Sequence, residues 1–467
     1  MSEIEKVDRL AEFTHFAFRI PSIKVDHSKK SVTASIFGIL QATASYCEGI
    51  GCILSPKGTN PEEVTCPSNK CPSVLKIVRK MREENEKRKK SNEFFPVGNK
   101  MDPNASRMNV LGPVLEKFFD ESFPGTQVNT RSILVVKDGQ LIGEKHFRGY
   151  RNKKQLGWSM SKSVTSALIG VAVKKGIIEL DSPIEREEWK KHANYESRKE
   201  EYKKITWREL LDMSTGLGGD ENYDIFGEPT RMLFVKGHSL RNKYFFNFYF
   251  RKKKENLMEA LEEKPLLHYP NTYFMYNSLT TNLLLNELRK KVGEDCAYFK
   301  FPFEELFLKG GMYSAHFETD STGNFIGSSF IFMEAADWAR FGMIFAQNGT
   351  WDGKRVLPEG WVDFSRQPAT TTSLYGKQWW LNTHQLAFPS LPENSLQASG
   401  FEYQARHLLL SSFLSSSLTL FPKMLYVHPE ENLVVVRLGC SQHITPGWSE
   451  ERRNELVSEI RKALGLN

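Results

Sequence analysis

Residues 157–164 read Gly157-Trp158-Ser159-Met160-Ser161-Lys162-Ser163-Val164, where Ser159 and Lys162 form an S-x-x-K motif at the head of an apolar run. Residues three apart on a helix share a face, which brings the Lys162 amine within reach of the Ser159 hydroxyl. At a buried helix N-terminus, lost hydration and the positive dipole end both disfavour an ammonium, so the lysine can accept a proton. The same terminus offers backbone N–H groups to an oxyanion. Val164, Leu168, Ile169, Val171 and Val173 make the following segment apolar nearly all round, and Gly176 behind Lys174 and Lys175 is a stop signal. The pattern predicts a buried helix with a nucleophilic serine at its start.

A four-residue pattern with two fixed positions also arises by chance, and Ser73 with Lys76 is a second match. That match runs into the charged stretch Arg79 to Lys90, which reads as a solvated helix face. The first match has partners. Upstream, residues 132–144 read as two short strands joined at Asp138-Gly139, a hairpin signal. Downstream, Tyr276-Asn277-Ser278 follows the aromatic pair Tyr273 and Phe274 and precedes an apolar helix from Leu279 to Leu288. Tyr276 is a candidate general base or proton shuttle. Near the C-terminus, Ala398-Ser399-Gly400 and the β-branched run Leu433 to Gly439 read as strands, the first an edge strand beside the nucleophile that supplies a second oxyanion N–H.

These residues resemble the serine hydrolases related to class C β-lactamases and penicillin-binding proteins, in particular the 6-aminohexanoate-oligomer hydrolase branch. The likeness runs from about Ser132 to Gly439 and includes residues 157–183, 205–217, 337–342 and 357–361. It implies an α/β (α+β) fold, an antiparallel sheet flanked by helices with a mainly helical region. It also implies an acyl-enzyme mechanism with Ser159 as nucleophile, Lys162 as activator and Tyr276 as the tyrosine of a Y-x-N/S motif. Ser278 would take the polar third position. Ser399, Gly400 and the backbone N–H of Phe401 would form the strand side of the oxyanion and substrate site. Ala398 stands where penicillin-recognising relatives carry a basic residue for a substrate carboxylate, so a small-molecule amide or ester is the expected substrate, with no cofactor and no metal. The alternative is a catalytically silent scaffold or interaction protein that keeps the fold.

Two stretches interrupt this likeness, Arg241 to Lys253 and Ala405 to Lys423, and both read as insertions. The chain has 467 residues, 40% hydrophobic and 25% charged, enough for one large domain over residues 107–467 plus an extension over 1–106. A net charge of +7 is mild at this length, and the basic runs carry no interleaved aromatics, so nucleic-acid partners find no support. No cleavable signal peptide is visible, which favours an intracellular location; Val32 to Leu54 is a poor membrane span and reads as a buried helix. Cys47, Cys52, Cys66 and Cys71 suit a zinc site or two disulfides by spacing. They lack C-x-x-C pairs and a nearby His, which leaves free thiols as the expectation. Val74, Leu75, Val78 and Met81 predict an amphipathic helix over 72–90, followed by a mobile linker over 91–104. His316, Glu318, Asp320 and Asp337 resemble a metal cluster but read as surface or capping residues, and Tyr375, Trp379 and Trp380 are either groove or core.

Overall fold

Val32, Thr33, Thr43 and Ile53 are β-branched, and Gly49 and Gly51 sit at positive φ between them. That combination favours strands and tight turns over a helix. In the computed structural model, which describes residues 22–36, 40–54, 66, 69, 71–119, 130–219, 221, 264–293, 296–400, 423–439 and 450–466, this region is an antiparallel meander. Its strands are β1 (Ser22–Asp26), β2 (Ser31–Ile36), β3 (Leu40–Cys47) and β4 (Gly51–Leu54). The buried helix expected over Val32 to Leu54 is therefore corrected to sheet. Thr33 faces Thr43 across β2 and β3, with hydroxyls 3.0 Å apart.

The expectation of free thiols is corrected as well. Disulfides join Cys47 to Cys66 and Cys71 to Cys296, and Cys52 takes part in neither. Cys71 finds its partner 225 residues away. Spacing within the N-terminal cluster cannot reveal such a pairing.

Helix α1 (Pro72–Lys90) starts with proline in its first turn and buries Val74, Met81, Asn85 and Arg88. Arg88 donates to the Gly311 carbonyl at 2.7 Å and approaches Asp337 at 3.4 Å. Residues 91–104, expected as a mobile linker, instead pack down with Phe95 buried. Arg340 is the reason: its fixed fork pairs with Asp337 at 2.7 Å and donates to the Pro96 carbonyl at 3.0 Å and to Asn99 Oδ1 at 2.8 Å. A buried guanidinium needs every one of those acceptors. Arg340→Ala is expected to cost about 3–5 kcal/mol of stability, read as a lower urea midpoint, because it removes the shortest partner of Asp337 Oδ1 and the guanidinium that donates to the Pro96 and Gly98 carbonyls. Cys47, Ile50, Val74 and Met81 share one apolar core with the helix that follows Ser159, described next.

The later chain adds α2 (Met108–Lys117), the hairpin of β5 (Thr130–Lys137) and β6 (Gln140–His146), β7 (Gln155–Leu156) and helix α3 (Met160–Lys174). Then follow α4 (Ser278–Val292), β8 (His316–Phe317), β9 (Ile331–Met333), α5 (Ala335–Ala346) and a small hairpin, β10 (Thr350–Trp351) with β11 (Lys354–Arg355). The last elements are β12 (Tyr375–Gly376), β13 (Trp379–Leu381), β14 (Leu396–Gly400), β15 (Lys423–His428), β16 (Leu433–Gly439) and α6 (Glu450–Ala463). Asp138 and Gly139 carry the predicted hairpin at φ of 51° and 80°, which sets Lys137 opposite Gln140.

Seven strands form one antiparallel sheet in the order β12-β13-β14-β15-β16-β5-β6. Alternation along each strand separates two faces. Leu134, Val136, Leu425, Val427, Val434 and Val436 enter the core with α3 and α5. Ile133, Val135, Met424, Tyr426, Leu433 and Val435 enter a second core beneath α2 and α6. Helix α3 is thus clamped between the sheet and α4, a position that excludes water from Lys162. The stretches read as insertions lie outside the described residues apart from Lys423, the first residue of β15. Residues 401–422 connect strands already paired at Gly400↔Lys423.

Candidate active site

Trp158 holds a φ of 50°, a conformation that costs a bulky residue about 1–3 kcal/mol and concentrates at functional sites. It turns the chain from β7 into α3, placing Ser159 at the N-cap. The Ser159 hydroxyl makes no capping bond. Lys162 Nζ stands 2.9 Å from it, and the Tyr276 hydroxyl is hydrogen-bonded to the same serine. The structure therefore brings Ser159, Lys162 and Tyr276 together from two elements more than a hundred residues apart.

Lys162 is only 1% exposed. Its amine also donates to Ser278 Oγ at 3.0 Å and to the Ser328 carbonyl at 3.4 Å, and it lies 4.8 Å from the centre of the Tyr276 ring. Burial pulls this amine down to about 8, opposed by the Glu221 carboxylate. Burial also pushes the Tyr276 phenol up, with the Glu221 charge adding to the shift. At neutral pH the phenol keeps its proton, and the lysine sits close to its own midpoint.

Asn277 explains why Tyr276 and Ser278 are held so firmly. Its side chain caps α4 by accepting from Thr280 N at 2.7 Å. Tyr276 packs 5.2 Å from Trp380 and edge-on against Tyr375 at 5.6 Å. Trp379, the next residue back on β13, points the other way and is stacked on Phe341 in the core. One tryptophan of the pair is wall and the other core, as the strand's period of two requires.

Sequence reasoning missed Glu221. It accepts from Ser278 N and from Ser278 Oγ, both at 2.6 Å, and lies 3.7 Å from Lys162 Nζ. A lone glutamate beyond Gly218-Gly219 carries no periodicity and no motif, so nothing in the sequence could have marked it.

The strand side of the site is built from β14. Neighbouring β13 pairs with it only at Leu396 and Gln397, so Ala398, Ser399 and Gly400 run on past that partner. The strand is internal to the sheet, which corrects the expected edge strand, yet its last three residues overhang β13 beside the loop that leads to Ser159. A Cβ on Gly400 would lie 2.3 Å from the Gly157 carbonyl oxygen, which shows how closely β14 backs onto the loop before Ser159. Ser399 differs from expectation: its hydroxyl accepts from Arg453 of α6 at 2.8 Å. That places the Ser399 side chain on the far face of the sheet, leaving its backbone to border the site. Phe401 lies outside the described residues. Ala398 is buried in the core against α3, where a longer basic side chain has no room without displacing it.

Of the residues that resembled a metal cluster, His316 lies 3.6 Å from Glu318 and the three carboxylates have other partners. Glu318 accepts from Cys52 N at 2.9 Å, Asp320 caps its own turn through Thr322 and Asn324, and Asp337 holds Arg340. Among the described residues no group of three His, Cys, Asp or Glu side chains is placed to hold a metal, and no helix is long and apolar enough to cross a membrane.

A family model described as Beta-lactamase matches residues 115–457, a span that contains every site residue named above. The chain belongs to the β-lactamase family. Members of this β-lactamase family are serine hydrolases, among them esterases, amidases and β-lactamases. No curated protein matches the chain. A 6-aminohexanoate-dimer hydrolase homologue from Bacillus anthracis is similar in structure, with a TM-score of 0.54 and 21% identity over 75% of this chain and 82% of its own. A β-lactamase homologue from Bacteroides dorei has a TM-score of 0.53 and 16% identity, over 76% and 98%. A family VIII carboxylesterase has a TM-score of 0.52 and 11% identity, over 78% and 98%. At such identities the likeness carries the β-lactamase/transpeptidase-like fold, in agreement with the antiparallel sheet and flanking helices expected from the sequence.

Proposed function

We propose that Ser159 cleaves a small-molecule amide or ester through an acyl-enzyme, with Lys162 as its base and Tyr276 as the hydroxyl that hands the proton to the leaving group. The 2.9 Å contact between Lys162 Nζ and Ser159 Oγ, made in a water-excluded pocket, carries this reading. A neutral amine takes the serine proton as Oγ attacks the carbonyl carbon. The developing oxyanion meets the amide N–H of Ser159 at the start of α3 and, by our reading, that of Phe401, the residue that follows Gly400 in the sequence. Collapse expels the amine or alcohol, protonated through Tyr276, and water then releases the acid by the same route. Trp380 and Tyr375 offer an aromatic wall to an apolar substrate portion, while buried Ala398 offers no cation to a carboxylate. Neutral amides and esters are therefore favoured over β-lactams.

The test is a panel of activated esters, short amides and β-lactams, followed by intact mass and peptide mapping. An acyl adduct on the peptide containing Ser159, with turnover of esters or amides ahead of β-lactams, is the expected result. No adduct in folded protein would move the assignment to a silent scaffold.

A further inference from the structure

Glu221 is not needed to describe Ser, Lys and Tyr, yet it makes the shortest polar contacts around them. Ser278 Oγ has one proton to give, and it stands 2.6 Å from Glu221 Oε1. Its lone pairs then face Lys162 Nζ at 3.0 Å. The directions are fixed by chemistry, because an ammonium only donates and a carboxylate only accepts. Lysine, serine hydroxyl and carboxylate form a one-way chain. The second carboxylate oxygen takes Ser278 N at 2.6 Å, which pins the chain to the start of α4.

We infer, resting on the hydrolase reading above, that Glu221 is a positioning residue that turns Lys162 into a base by receiving its proton through the Ser278 hydroxyl. The steps balance. Lys162 ammonium passes a proton to Ser278 as Ser278 passes its own to Glu221, leaving a neutral amine and a neutral carboxylic acid. The amine takes the Ser159 proton as the Ser159 Oγ–carbonyl bond forms, and returns it through Tyr276 to the leaving group as the scissile bond breaks. Glu221 then gives its proton back along the same path. The groups facing this chain are Tyr276 and Tyr375, both held protonated by burial. Asp212 lies behind Tyr375 and is paired with Lys377 at 3.2 Å.

The relay has a kinetic signature. Internal transfer changes no net charge, so wild-type acylation levels off on its acid limb. Without the relay, Lys162 must lose its proton to solvent, and the rate falls about tenfold per pH unit below the lysine midpoint. Single-turnover acylation by an activated acetate ester is measured by quench and intact mass from about pH 5.5 to 7, for wild type, Glu221→Gln, Glu221→Asp and Ser278→Ala. Wild type and Glu221→Asp are expected to level off towards pH 5.5, and Glu221→Gln and Ser278→Ala to keep falling by about tenfold per unit. Near-UV circular dichroism checks that each variant is folded, and either of the latter two carries the test alone. Variants that parallel wild type, or a wild type that itself falls tenfold per unit, would overturn the relay alone. A folded wild type without any Ser159 adduct would overturn the hydrolase reading and the relay with it.

Discussion

Lys162→Met is expected to lower Ser159 acylation by about 10³–10⁵-fold while the protein stays folded, with a melting temperature within about 5 °C of wild type. The loss is large because no other group near Ser159 can take its proton at neutral pH. Tyr276 is pushed up by burial and keeps its own proton, while Glu221 reaches the serine only through Ser278 and Lys162. Methionine keeps the unbranched stem that fills the space under Tyr276 and removes an ammonium whose burial is unfavourable. Polar contacts to Ser278 and the Ser328 carbonyl are lost, which offsets that gain. Acylation followed by intact mass, with thermal unfolding in parallel, separates the two effects. A rate within tenfold of wild type would place the base elsewhere.

What could be read from the sequence was chemistry confined to short range or to a strong local signal. Ser159 and Lys162 are three residues apart on one helix face, so their contact is nearly dictated by helix geometry. Asp138-Gly139 fixes its hairpin by backbone preference alone. Tyr276 and Ser278 were found because their triplet resembles a family motif. Glu221 stayed invisible because only the tertiary fold brings its loop to Ser278, and Cys296 because its partner Cys71 belongs to a distant helix. Val32 to Leu54 was misread for a different reason. Its Ala, Ser, Cys and Gly residues are small and weakly patterned, so apolar content suggested a core helix, whereas the β-branched residues and two positive-φ glycines chose strands. Residues 91–104 looked like a solvated linker because their value lies in backbone carbonyls, which receive Arg88 and Arg340 and leave no mark on side-chain pattern.

Gly400→Ala tests how far the site depends on backbone approach alone. The added methyl would lie 2.3 Å from the Gly157 carbonyl oxygen and 3.0 Å from Lys423 Cβ, with no flexible side chain able to move aside. Gly157 itself cannot retreat, because a Cβ placed there would already meet Trp338 at 2.4 Å and its own N–H donates to the Ile331 carbonyl at 2.8 Å. The strain therefore opens the seam between β14 and the turn at Trp158, moving the two sources of oxyanion N–H groups apart by about 1 Å. A displacement of that size costs on the order of 10²-fold in rate, and loss of one oxyanion donor costs about 10²–10³-fold. Acylation is expected to fall by about 10²–10³-fold, with about 1–3 kcal/mol of stability lost to overpacking. The Lys162–Ser159 contact is made within the first turn of α3 and does not involve β14, so activation of the Ser159 hydroxyl should survive. The pH dependence of the residual acylation should then match wild type. If Gly400→Ala acylates at the wild-type rate, β14 does not form the oxyanion side of this site.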